Sequence, residues 1–138
     1  PPPPTETPPP PTETPPPSIG TGTRGYWANH AEAWPVSSIL IGSTTYSVSE
    51  AIGIMQTPGK GDKTYDLFAQ LVAAKLNGYN GAEPSCVDGA IAAADAWLSV
   101  NTLGSGVRAK SAAWSEISTV FSTLDSYNNG LLCAPHRD

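Results

Sequence analysis

A chain of 138 residues and 14.3 kDa has the length of one ordinary domain. Only 14% of it is charged, the net charge is −5, and the seven Lys and Arg residues are scattered along the sequence. That balance excludes nucleic acid as a partner, because phosphate neutralisation needs clustered bases, and no apolar run approaches the roughly 18 residues of a membrane span.

Residues 1–17 carry eleven of the fifteen prolines and no hydrophobic side chain, in a seven-residue repeat of four prolines followed by Thr-Glu-Thr. Proline fixes φ and removes backbone donors, so this stretch predicts an extended polyproline II stalk, about 50 Å long at about 3.1 Å per residue. Thr5, Thr7, Thr12 and Thr14, each flanked by proline or glutamate, have the composition of an O-glycosylated stalk, and Glu6 and Glu13 add a charge of −2. The segment reads first as an inert spacer, and alternatively as a subunit contact, since a proline helix is ordered before it binds and favours aromatic-lined grooves. A start inside a repeat and without Met predicts a processed product or a piece of a longer chain.

Residues 18–25 read as a flexible joint. Gly20, Gly22 and Gly25 match G-x-G-x-x-G, but a proline spacer precedes them where a dinucleotide site needs a strand. Next come Tyr26, Trp27, Asn29, His30 and Trp34, the densest cluster of recognition-type side chains in the chain. They form a candidate aromatic surface for a sugar face or a proline ring, although Trp27 and Trp34 read first as core staples covering the helical bundle.

Residues 39–47 read as a hairpin turning at Gly42-Ser43. Ser47 and Glu50 form a capping box for a helix over 48–56. Asp62 caps a helix with Tyr65, Phe68, Leu71, Val72 and Leu76 on one stripe, ending at Asn77-Gly78. Ser85 opens another, with Val87, Ile91, Ala94, Trp97 and Leu98 on its face. Ser111 opens the last, with Trp114, Ile117, Val120, Phe121, Leu124 and Tyr127, closing at Asn128-Asn129-Gly130. The fold class expected is all-α: a small four-helix bundle with one short hairpin, occupying 26–138.

Cys86 and Cys133 are an even pair in a low-charge chain rich in Ser, Thr, Asn and Gly, which favours a disulfide over two free thiols. A zinc site from these two with His30 and His136 has the right ligand types but lacks the short ligand spacings. A Ser-His-Asp site would rest on His30, and a glycoside hydrolase would pair Glu32 with Asp62, Asp66, Asp88 or Asp95; the sequence places none of these together. Asp125 to Gly130 is read as a helix end in preference to a calcium loop, so no metal and no cofactor are expected.

Gly25-Tyr26-Trp27-x-Asn29-His30 with Ala33-Trp34-Pro35, Ile39-x-Ile41-Gly42, Gly61-Asp62-x-Thr64-Tyr65, Gln70 to Asn77 and Ala92 to Trp97 resemble a poorly characterised module of secreted and surface-anchored bacterial proteins. The resemblance spans most of residues 24–100 and implies an extracellular, linker-attached domain without an established activity. Together these readings predict a non-enzymatic extracellular or cell-surface structural protein whose glycosylated tail sets spacing or joins subunits, a fibre being one form of such an assembly. The alternative is a tethered carbohydrate-binding module, followed by a glycoside hydrolase.

Overall fold

The computed structural model describes residues 20–136. The proline repeats, Thr5, Thr7, Thr12 and Thr14 among them, lie outside the described residues, and so does the polyproline II expectation. The described residues form α1 (Arg24–Asn29), a 3₁₀ turn (Ala31–Ala33), β1 (Ser38–Ile41), β2 (Thr44–Ser47), α2 (Val48–Met55), α3 (Lys63–Tyr79), α4 (Asp88–Val100) and α5 (Ala112–Asn128).

Local chemistry accounts for most boundaries. The hairpin pairs Ile41 with Thr44 and Ser38 with Ser47, and Gly42 takes the left-handed turn position at φ 64°. Its strands alternate, so Ile39 and Ile41 face the core while Leu40 faces out. Ser47 closes the expected capping box: Glu50 N–H donates to Ser47 Oγ and Ser47 N–H donates to Glu50 Oε1. Ser111 Oγ accepts from Trp114 N–H at the start of α5.

Helix α3 is the centre of the molecule. Residues Leu67 to Asn77 are all buried, and α1, α2, α4, α5 and β1 pack around them. Ala69, Ala73 and Ala74 allow this close approach on faces that a single apolar stripe would leave to solvent. Aromatic edges lock the periphery, with Tyr46 against Phe68 at 5.1 Å and Trp114 between Trp97 at 6.0 Å and Phe121 at 5.3 Å. Cys86 and Cys133 form a disulfide across a separation of 47 residues.

Four expectations require correction. There are five α-helices among the described residues, because Thr23 Oγ1 caps Tyr26 N–H and nucleates α1, which at six residues is too short to show periodicity. A strict all-α class is too narrow, since the hairpin contributes Ile39 and Ile41 to the core. Residues 20–25 are no flexible joint: Thr21 and Gly22 are buried, Thr21 N–H donates to Pro135 O at 2.7 Å, and Arg24 and Gly25 already belong to α1. Ser85 does not cap α4, which begins three residues later, because the amides of Val87 and Asp88 both turn back to Pro84 O.

Candidate functional site

Of the aromatic cluster, the structure keeps only part at the surface. Trp27 is 0% exposed and Trp34 9% exposed, so neither serves as an exposed platform for a sugar or a proline ring, and the carbohydrate-binding alternative loses the surface it was built on. The reason lies in their indole N–H groups, which find partners inside: Trp27 Nε1 donates to Asn77 Oδ1 at 2.9 Å, and Trp34 Nε1 donates to Trp27 O at 2.9 Å. Tyr26 is half-buried, edge-on to Trp27 and stacked on His30 at 4.5 Å. Asn29 is exposed and donates to Gly25 O along its own helix. His30 Nδ1 lies 3.0 Å from Glu32 Oε2 at the surface. The backbone of Glu32, and then His30, hold the Glu32 carboxyl below its ordinary value.

The signal missed in the sequence is a buried polar relay. Asn77, which reads as a helix stop, is 0% exposed and uses every hydrogen-bonding position of its amide. Its Oδ1 accepts from Gly22 N–H at 2.8 Å and from Trp27, while its Nδ2 donates to Gly22 O and to Asn128 Oδ1, each at 2.9 Å. Asn128 passes the relay to Gln70 O and Oε1, and Gln70 Nε2 donates to Asp125 Oδ1 at 2.9 Å. Gly22 must be glycine for this: a Cβ there would stand 2.6 Å from Tyr26 Cδ2 and 3.0 Å from Trp27 Nε1. One Gly of the apparent nucleotide fingerprint thus serves side-chain packing at the start of the described chain.

A second cluster welds two loops at the opposite end of α3. Asp62 Oδ1 accepts from Thr64 N–H, Thr64 Oγ1 and Val107 N–H, and Oδ2 accepts from Gly106 N–H. Lys63 N–H donates to Val107 O, and Arg108 Nη1 donates to Lys60 O. Lys60 holds a positive φ of 53°, unusual for a side chain other than Gly or Asn. Burial pushes the Asp62 carboxyl upward, but the Thr64 hydroxyl and the amides of Thr64, Gly106 and Val107 outweigh it and hold it below its ordinary 3.8. Its contribution is therefore fully present above the unfolded value and is lost as pH falls through the lower folded value. Asp62→Asn is expected to cost about 2 kcal/mol at neutral pH, from a lost charge-assisted acceptor and helix cap, and to flatten the acid limb below about pH 4. Urea denaturation of both proteins from pH 2 to 7 measures this; parallel pH profiles would refute it.

The remaining charged residues are spread between elements. Lys75 Nζ donates to Leu40 O at 2.6 Å and lies 2.7 Å from Asp95 Oδ2, while Asp95 Oδ1 accepts from Gly42 N–H, so this pair ties α3 and α4 to the hairpin. The pair lines an open groove of about 380 Å³ with Tyr79, Pro84, Asp88 and Ile91. Asp66 is held by Arg24 at 3.2 Å and Lys63 at 3.8 Å. Among the described residues no hydrogen bond or ion pair joins Glu32 to Asp62, Asp66, Asp88 or Asp95, and no three His, Cys, Asp or Glu residues are grouped to hold a metal. None of the described helices is long and apolar enough to cross a membrane. No family model, curated protein or solved structure matches this chain.

Proposed function

We propose that the protein is a non-enzymatic structural component of an extracellular or cell-surface assembly, in which the glycosylated proline-rich stalk sets spacing and joins subunits. The observation that carries this reading is the way the stalk is rooted. A passive tether needs no anchorage, whereas here Thr21 N–H is bonded to Pro135 O and both backbone groups of Gly22 are held by the buried amide of Asn77. Force or orientation imposed on the stalk is thereby passed directly to the central helix. The Cys86–Cys133 bridge secures the segment that carries Pro135, and it suits an oxidising exterior.

Native mass spectrometry and sedimentation of material from the producing organism test the reading. The full chain is expected at several times its 14.3 kDa protomer mass, with sugar-sized increments, and removal of residues 1–17 is expected to return it to one protomer. Full chain and truncated chain of equal, monomeric mass would overturn the proposal.

A further inference from the structure

With Trp27 and Trp34 committed to the core, the stalk of a neighbour needs another receiving surface. The domain's charge distribution indicates where. Helices α3 and α5 run in the same direction, with Lys63 over the Trp114 ring at their N-terminal ends and Asn77 bonded to Asn128 at their C-terminal ends. The 17 residues of α3 separate those ends by about 25 Å.

The described chain begins at the C-terminal end, where Thr21 and Gly22 are bonded to Pro135 and Asn77. That end is acidic: Glu83 and Asp88 lie close enough to Tyr127 that, after burial, their charges help to push its phenol up to about 12. The opposite end gathers Lys60, Lys63, Arg108 and Lys110, four of the seven basic residues, which are far apart in sequence. Of these, Lys60, Arg108 and Lys110 are exposed and have no carboxylate partner among the described residues. The Asp62 hydrogen bonds hold the loops that carry them in one arrangement. Tyr65 is half-buried between the same loops, 3.3 Å from the space beside Gly59 and 3.6 Å from that beside Gly104.

On the reading above, that subunits join through the stalk, we infer that this basic loop pair receives residues 1–17 of a second copy. Glu6 and Glu13 would meet Lys60, Arg108 and Lys110, and a proline ring would lie on Tyr65. One four-proline block, residues 8–11, falls between the two glutamates, which would stand about 22 Å apart in a polyproline II helix. The groove between α3 and α4 is the poorer receiver, since it presents Asp88 and Asp95 to a segment that is itself acidic. Because Gly22 and the basic loops lie at opposite ends of α3, the contact would run head to tail, the type of interface from which rings or open filaments are built.

The test is a charge swap. A fluorescent synthetic peptide of residues 1–17 is titrated with the full chain and followed by anisotropy. Saturable binding is expected, weakening as salt is raised, and Lys60→Glu/Lys110→Glu should reduce affinity at least about tenfold. A peptide with Glu6→Lys/Glu13→Lys should fail to bind the unaltered chain and should bind the reversed variant. Unfolding curves of the variant show whether its fold is intact, and the swapped pair rescues only a direct contact. No binding up to about 1 mM, the effective concentration of a short tether, would overturn the inference, as would equal binding to both proteins or absence of rescue. If truncation of residues 1–17 abolishes assembly while Lys60→Glu/Lys110→Glu leaves it unchanged, the stalk's role stands and this receiving surface is wrong. If truncation changes nothing, the reading beneath it fails as well.

Discussion

Asn77→Ala is expected to lower stability by about 3–5 kcal/mol. The side chain satisfies four groups at once, namely the amide and carbonyl of Gly22, the indole N–H of Trp27 and the Oδ1 of Asn128. Truncation leaves these buried without their partner, and each unsatisfied buried group costs about 1–3 kcal/mol before relaxation. The total is a large share of the 5–15 kcal/mol that holds a domain of this kind together. Asn129→Ala is the matched control. Asn129 is exposed and bonds only Asp125 at the end of α5, so its loss should stay below about 1 kcal/mol. Urea denaturation of the two variants measures both values, and a difference between them of under 1 kcal/mol would show that the relay does not stabilise the domain through Gly22 and Trp27.

That same residue marks the limit of what the sequence discloses. Asn77-Gly78 has the composition of a helix end, and in a helix with one buried stripe it would be one. Helix α3 instead runs on to Tyr79, because packing on all sides turns position 77 inward, where the amide is more stabilising as a relay than as a cap. The stripe of Phe68, Leu71, Val72 and Leu76 was legible from spacing alone. The burial of Gln70 and Lys75 was not, since their acceptors come from Asp125 and Leu40, 55 and 35 residues away.

Signals confined to a few neighbouring residues read correctly. Ser47 with Glu50, Asp62 before Thr64, Ser111 before Trp114 and the turn at Gly42 all depend on bonds within one turn of chain. Ser85 misled for the complementary reason: the Pro84 carbonyl captures the amides that the serine would have capped, beside a cysteine drawn toward Cys133. The candidate site divides in the same way. Trp27 and Trp34 suit a core or, less well, a surface by residue type alone, and the acceptors Asn77 Oδ1 and Trp27 O place both in the core. The basic loop pair was illegible because Lys60 and Arg108 are 48 residues apart and are brought together by bonds between their loops, from Gly106 and Val107 to Asp62 and from Arg108 to Lys60.

Reduction of the Cys86–Cys133 bridge, or Cys86→Ser/Cys133→Ser, is expected to cost about 4 kcal/mol. The bridge closes a loop across 47 residues, and in the chain-entropy model that restriction of the unfolded chain is the main source of its effect. The melting temperature should fall by roughly 10–20 °C. Both cysteines are exposed, so a reductant reaches the bond in the folded protein. The local consequence is more specific than the global one. Beyond Cys133 the chain is held by the buried Ala134 and by the Thr21 bond to Pro135, so opening the bridge should free that segment before the helices separate. Amide exchange at Thr21 should therefore accelerate on reduction, while Gly22, held from within α3 by Asn77, stays protected. Equal acceleration at both amides would mean that Thr21 and Gly22 open as one unit, and an unchanged Thr21 would mean that the bridge stabilises the domain without securing its bond to Pro135.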